Sequence, residues 1–216
     1  MASSPSPPRR PDGIPAVRWF VVFLMLASVA GAWNWWTSER HERLPPGIVA
    51  PDAPVQQLLD PPPTFAAKEH VFVARARYDI TARVLRKDIY RIDGGANLAP
   101  VDLGLGWGAM SDTAVVDALE FSQMGRFLYW KPKDRTSFPL TPAQTIAQAA
   151  QVHAVPADAA IERRLRGLRP GQVVRLSGYL VDIRGSNGFL WRTSLSRDDT
   201  GDGACEIMWI ESLAVE

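Results

Sequence analysis

One apolar run dominates the pattern of hydrophobic and polar positions along this chain. It covers residues 17–36, VRWFVVFLMLASVAGAWNWW, and no charged residue lies between Arg18 and Glu39. A helix of this length spans roughly 30 Å, about the thickness of a hydrocarbon core. Tryptophans lie near both ends, as they do where indole rings rest at membrane interfaces. The pattern predicts a transmembrane anchor over 16–36, in contact with the lipid bilayer.

The charges that flank the run predict its orientation. Arginines precede it with few acids among them, whereas the basic residues that follow are mixed with acidic ones. Since Lys and Arg mark the cytoplasmic side, we expect a single-pass protein of the bacterial inner membrane with a cytoplasmic N-terminus and a periplasmic C-terminal domain. A cleaved signal peptide is the alternative, because Ala30-Gly31-Ala32 resembles a cleavage site. In both interpretations the C-terminal domain is exported from the cytoplasm.

Proline-rich stretches divide the rest of the chain. Residues 1–15 lack an apolar period and are typical of a disordered cytoplasmic tail. Residues 37–67 contain many prolines, which favour extended and semi-rigid backbone, and we interpret them as a linker. Residues 68–216 remain for one periplasmic domain.

Alternating apolar and polar residues predict strands within that domain. They predict one long strand or a bent pair from 70 to 90, and further strands over 126–130, 172–183, 189–196 and 204–213. Gly178 marks a bend or a bulge in the segment 172–183. Helices are expected over 113–121, 142–151 and 157–167, the second opened by a capping box at Thr141 and Gln144. We expect an α+β fold with a curled antiparallel sheet or partial small β-barrel and two or three short helices.

Composition narrows the classes of function. The 216 residues carry a formal net charge of +1, so no concentrated positive field is available for nucleic acid. The single cysteine excludes an intramolecular disulfide, and three histidines, with His41 in the linker, do not make a histidine-rich zinc site. No cofactor motif is present, and we expect no cofactor.

The turn 198–203, DDTGDG, partly matches a calcium-binding loop. Asp198, Thr200 and Asp202 take the first, third and fifth positions, and Glu206 takes the ninth. The twelfth position holds Trp209, where a bidentate glutamate is required. The alternative is an acidic hairpin turn, in which Asp and Gly supply unusual backbone angles.

A thiol nucleophile with a histidine base is a second hypothesis, built from Cys205 and His153. Nearby carboxylates for orienting the histidine would be Glu206, Asp158 or Asp182. The flanking residues place Cys205 at the start of a strand, which favours a buried structural thiol instead.

Glycines surround a tryptophan in the segment 104–112. We predict a binding surface formed by Gly106, Trp107, Gly108 and Asp112. A packed loop, in which glycine lets the backbone pass close to the indole ring, is equally compatible with this pattern.

Four segments, PVDLGLGWGAMSD, FSQMGRFLYW, PGQVVRLSGYLV and LWRTSLSRDDTGDGACE, together resemble a family of single-pass, membrane-anchored, exported bacterial proteins. That resemblance covers most of 70–211 and implies no activity, so no residue role follows from it. The strand PGQVVRLSGYLV is also similar to strands of OB-type barrels. These patterns predict a non-enzymatic binding or assembly module with an envelope protein as partner. An envelope hydrolase that uses Cys205 and His153, or a metal at 198–206, is the alternative.

Overall fold

The computed structural model describes residues 16–38, 42–186, 188–197, 199, 201 and 203–216. The chain divides into two compact units, Met1–Glu39 and Arg40–Glu216. In the second unit, a mostly antiparallel sheet is accompanied by a few short helices. The α+β class predicted from the sequence is therefore confirmed.

The first unit contains helix α1, Ala16–Ser38. Large apolar side chains are exposed along it, with exposed fractions of 62% for Trp19, 67% for Phe23 and 65% for Met25. Within the described part of the chain, no helix combines the length and the hydropathy of a membrane span. The anchor over 16–36 stays a prediction.

The second unit is built mainly from strands, and the longest of them, β3, extends over 20 residues because apolar and polar residues alternate along it. The described strands are β1 (Val55–Leu58), β2 (Thr64–Ala67), β3 (His70–Ile89), β4 (Val101–Gly106), β5 (Leu119–Met124), β6 (Phe127–Pro132), β7 (Ala149–Pro156), β8 (Val173–Arg184), β9 (Leu190–Trp191) and β10 (Glu206–Val215). The described helices of this unit are a 3-10 helix (Gly108–Ser111), α2 (Thr113–Asp117), α3 (Pro142–Ala147) and α4 (Ala159–Gly167).

Strands β3, β4, β7, β10 and β8 pair in that order, and β8 then pairs back with β3, so that the sheet closes on itself. Neighbours in this circuit are antiparallel except β7 and β10, which are parallel. Strands β1 and β2 pair with β3 outside the circuit, and β5 and β6 form a separate hairpin. The early strand β3 thus lies beside the C-terminal strand β8.

Alternate residues of the circuit face an apolar core. On β7, Val152 and Ala154 belong to this core, as does Leu103 on β4. Because successive side chains of a strand point to opposite faces, Asp102 and His153 lie on the outer face of the same two strands. The candidate site is built on this outer face.

The segment 107–148, between β4 and β7, folds over that outer face. A Cβ atom added to Gly104 on β4 would lie only 2.8 Å from the Leu128 Cδ2 atom of the hairpin β5–β6. The glycine therefore leaves room for the hairpin to pack against the strand. The rest of the segment packs against β3 through a small apolar cluster. Its buried members are Leu85 of β3, Met110, Val115 and Leu119.

Helix starts agree with the sequence better than helix ends do. Thr141 forms the predicted capping box of α3, and Asp112 accepts the Ala114 N–H at the start of α2. Both helices end earlier than predicted, because β5 and β7 follow them almost at once. Sheet pairing of the residues after each helix outweighs their local helical pattern.

Part of the predicted linker belongs to the folded domain. Strands β1 and β2 lie within 37–67 and pair with β3. The Thr113 hydroxyl donates to the Leu44 carbonyl at 3.0 Å, and the Ser111 hydroxyl accepts from the Ala50 N–H at 3.1 Å. The domain therefore begins well before residue 68, the boundary predicted from the sequence.

The irregularity predicted at Gly178 lies opposite that residue, in β10, where Glu211 is the extra residue. The register between β8 and β10 shifts between Ile210 and Ser212, and Ile210 pairs with Gly178. A Cβ atom added to Gly178 would collide with the Trp209 carbonyl group. Glycine is required here because the two backbones approach so closely.

Candidate functional site

A pocket of about 170 Å³ lies where the hairpin β5–β6, strand β7 and the start of β10 meet. For comparison, a cavity of about 150 Å³ holds one benzene molecule. The pocket therefore has room for one small ring or a short alkyl chain. Its apolar side includes Phe127, Leu128, Trp130 and Ile146, and its polar side includes Gln151, Arg197, Asp199 and Glu206.

The parallel pairing of β7 and β10 brings the polar side together. Glu206 pairs with Val152, the residue that follows Gln151. The segment before β10 contributes Arg197 and Asp199 to the same pocket. Glu206 and Val152, more than 50 positions apart in the sequence, are thus neighbours in the sheet.

Glu206 is the most deeply buried acid of this pocket, with 3% of the residue exposed. Its Oε1 atom accepts a hydrogen bond from Arg197 Nη1. Among the described residues, the Oε2 atom has no hydrogen-bond partner. Burial raises the pKa of Glu206 to about 7, with Asp199 acting in the same direction and Arg197 opposing them. The carboxyl group therefore changes its protonation near neutral pH.

Gln151 supplies a second acceptor. Its Nε2 atom donates to the Arg126 carbonyl at 3.5 Å, which fixes the orientation of the amide, because a flipped amide would set two oxygens against each other. The Oε1 atom is buried and has no partner within the described part of the chain. Gln151 shares the outer face with His153, whereas Glu206 shares the core face with Val152, so the two unpartnered oxygens lie on opposite faces of the sheet.

Arg197 is engaged by protein groups. One of its terminal nitrogens donates to Glu206 and the other to Gln56 Oε1. Its guanidinium carbon lies 4.9 Å from the centre of the Tyr78 ring, within the range of a cation–π contact. Burial raises the pKa of Tyr78, and the neighbouring Glu206 carboxylate adds to this effect.

A buried ion cluster fastens the hairpin beside the pocket. Arg126, in the turn between β5 and β6, donates from Nη1 to Asp102 Oδ1 at 2.9 Å and from Nη2 to Asp93 Oδ1 at 2.8 Å. The hydrogen bonds from Arg126 hold the pKa of Asp93 below its usual range. The guanidinium carbon of Arg126 also lies 4.0 Å from the centre of the Tyr90 ring. We call Arg126, Asp102 and His153 the hairpin clamp.

His153 takes part in this clamp. It is 4% exposed, its Nδ1 atom lies 3.0 Å from Asp102 Oδ1, and its ring centre lies 4.8 Å from that of Trp191. Cys205, in contrast, lines the pocket just before β10, and the described lining residues do not include His153. The carboxylate beside the histidine is Asp102. The sequence had offered three other carboxylates for that role, Glu206, Asp158 and Asp182.

The predicted binding segment 104–112 is packed into the domain. Trp107 is 3% exposed and belongs to the barrel core. A Cβ atom on Gly106 would lie 2.5 Å from the Met110 carbonyl oxygen, and Gly108 has a φ of +54°. Asp112 caps α2 and also accepts the Gly47 N–H at 3.0 Å. These contacts favour the packed-loop interpretation.

The predicted calcium-loop residues Asp198, Thr200 and Asp202 lie outside the described residues. Glu206, at the ninth position, is paired with Arg197, and Asp199 Oδ2 accepts from the Ser194 hydroxyl at 2.6 Å. Within the described residues, no group of three or more His, Cys, Asp or Glu side chains is arranged to hold a metal ion. Calcium binding at this turn stays a hypothesis beside the acidic hairpin turn, which the sequence favours.

No family model, no curated protein and no solved structure matches this chain. Sequence reasoning did not single out Gln151, Asp102 or Arg126 as site residues. The sequence signal for Asp102 and Gln151 was a polar residue within an otherwise apolar strand, as in VDLGLG (101–106) and AAQVHAVP (149–156).

Proposed function

We propose that this chain is a non-enzymatic binding or assembly module of the bacterial envelope, and that the pocket beside β10 is its ligand site. The observation that carries this proposal is the pocket of about 170 Å³, with Phe127, Leu128 and Trp130 on its apolar side and charged residues on its polar side. Concave sites of mostly apolar lining with a few polar groups are typical of ligand-binding sites.

The strand order supports an OB-type barrel. In chain order, the five strands of the closed circuit are β3, β4, β7, β8 and β10, and α4 lies between the third and the fourth of them. In space they follow the order first, second, third, fifth, fourth. OB-type barrels bind ligands on the face of the second and third strands and in the adjoining loops. Here the hairpin β5–β6 covers that face. The pocket is the space that remains between the hairpin and the segment before β10.

The anchor over 16–36 would hold this module at the inner membrane with the domain in the periplasm. Support comes from the apolar run and its flanking charges, and from the exposed apolar side chains of α1. Degradation of the domain by external protease in spheroplasts is the expected result. A domain that stays protected would contradict this placement.

A fragment screen tests the binding role without assuming a ligand class. We expect a chemically diverse fragment set, screened by ligand-observed NMR on the full-length protein in detergent, to give hits that the Ala204→Trp variant abolishes. Ala204 lines the pocket, so the indole ring fills it. Ala214→Trp, at an exposed position of β10, is the matched control and should keep the hits. Hits that survive in both variants, or an absence of hits, would refute the ligand site.

An envelope hydrolase is the second candidate, and one observation favours it. The buried Asp102 carboxylate holds His153 Nδ1 at 3.0 Å, an arrangement that also orients catalytic histidines. A Cys205→Ser variant that folds normally but loses the cellular phenotype would support the hydrolase. An unchanged phenotype would support the binding module.

A further inference from the structure

We propose that helix α4 and the two residues after it form a second membrane contact, in which exposed arginines bind the phosphate headgroups of an anionic bilayer. The inference rests on the proposed anchor over 16–36 and adds a docking face on the domain itself. We call Arg163, Arg164 and Arg169 the basic face. Three features support it: the short connection to the anchor, the place where the chain enters the domain and the unpaired charge of these arginines.

The connection between helix α1 and the domain is short in sequence. Helix α1 ends at Ser38, and the Glu42 N–H already donates to the Pro170 carbonyl of the domain at 2.8 Å. The four residue steps between them cover at most about 14 Å, even when fully extended. Much of the spacer predicted over 37–67 is part of the fold. An anchored chain therefore keeps this entry point of the domain close to the lipid headgroups.

The chain enters the domain beside the C-terminal end of α4. Pro170, which accepts the Glu42 N–H, follows the helix by three residues. Lys87 of β3 holds this end of the helix, because its Nζ atom donates to the Arg166 carbonyl at 2.9 Å and to the Leu168 carbonyl at 2.6 Å. The basic face lies within about two helical turns of the entry point. Its arginines are thus on the part of the domain that the connection keeps near the bilayer.

The basic face carries positive charge without an ionic partner. Its three arginines are exposed, and none of them forms an ion pair with another described residue. The fourth arginine of this region, Arg166, pairs with Glu162 at 2.8 Å. Asp158 accepts the Ala160 N–H at 2.7 Å at the start of the helix. Residues 158–169 hold four arginines and two acids, so their formal charge is 4 − 2 = +2.

The spacing of the arginines favours an array of phosphates over one small anion. Consecutive helical residues point about 100° apart, so Arg163 and Arg164 do not converge on a single point. Guanidinium groups bind phosphates through paired hydrogen bonds, and each basic residue near an anionic bilayer adds to the attraction. A bilayer surface supplies a phosphate for each of the three side chains.

Arginine footprinting of the full-length protein in nanodiscs tests this contact. Phenylglyoxal modifies arginines that solvent reaches, and mass spectrometry gives the rate at each one. In discs of equal parts phosphatidylglycerol and phosphatidylcholine, we expect the basic face to react roughly fivefold more slowly than in discs of phosphatidylcholine alone. The protection should fade at about 0.5 M salt, because salt shortens the range of the attraction. Arg184, exposed at the far end of β8, should react equally in both.

A charge reversal separates docking from the proximity that the short connection imposes. Arg163→Glu should return Arg164 and Arg169 to the rates seen in phosphatidylcholine discs, since a carboxylate repels the phosphates. Arg184→Glu is the matched control at another exposed position and should leave the protection unchanged.

Equal rates in the two kinds of disc would overturn the inference, as would protection that persists in Arg163→Glu or at high salt. Protection in detergent that grows with protein concentration would identify a second copy of the chain as the occupant instead. Failure of the protein to enter the discs would refute the anchor and, with it, this contact. The pocket is tested separately by the fragment screen, so hits there would leave the proposed binding module standing.

Discussion

Replacing Arg126 by methionine should lower the free energy of unfolding by roughly 3–5 kcal/mol. Asp102 is fully buried, and the guanidinium group of Arg126 is its principal cationic partner at 2.9 Å. Removal of one partner of a buried ion pair leaves the other charge in a medium of low polarity. Urea denaturation of the purified protein, followed by circular dichroism, measures the change.

Arg77→Met is the matched control for this variant. Arg77 pairs with Glu211 at 2.8 Å, but both side chains are substantially exposed, at 35% and 43%. Exposed ion pairs contribute about 0–1 kcal/mol, so the same chemical change should have little effect there. Equal losses in the two variants would show that the hairpin clamp does not stabilise the domain.

The stability of the wild-type protein should fall, relative to that of Glu206→Gln, as the pH rises from about 5 to 8. Burial raises the pKa of Glu206 to about 7 in the folded protein from an ordinary value of 4.5. The folded protein thus keeps its proton where the unfolded chain has released it. The resulting stabilisation is full below the ordinary pKa and is lost as the pH passes through 7, with a total of about 3 kcal/mol.

Urea denaturation of both proteins at a series of pH values measures this difference. Glutamine keeps an oxygen acceptor for Arg197 and removes the titration, and contributions of other groups are common to both proteins. Glu211→Gln, at an exposed position, should follow the wild type. Parallel curves for wild type and Glu206→Gln would contradict a deeply buried carboxyl group at this site.

Local patterns predicted the elements of the fold where one physical signal dominated. The long alternation of β3 and the capping box at Thr141 were both correctly identified, whereas the bulge predicted at Gly178 lies in the neighbouring strand β10. The pattern was less informative for β4 and β7, because their glycines and alanines lack a strong strand preference. Strands β1 and β2 were not predicted, because they lie in a proline-rich stretch. Both pair with β3, and the sequence did not show that β3 has an edge available to them.

The pocket depends on contacts that no short stretch of sequence contains. Glu206 was considered as a calcium ligand because of its spacing from Asp198, whereas sheet pairing places it beside Val152 of β7, and it accepts a hydrogen bond from Arg197. Cys205 does line the pocket, but His153 belongs to the hairpin clamp. The register between β7 and β10 and the folding of the hairpin over β4 decide these neighbours, and both depend on long-range pairing.

A crystal structure of the protein soaked with a hit from the fragment screen would test the ligand site most directly. The account predicts the fragment between Trp130 of the hairpin β5–β6 and the segment before β10. A fragment bound elsewhere, with only ordered water in the pocket, would contradict it.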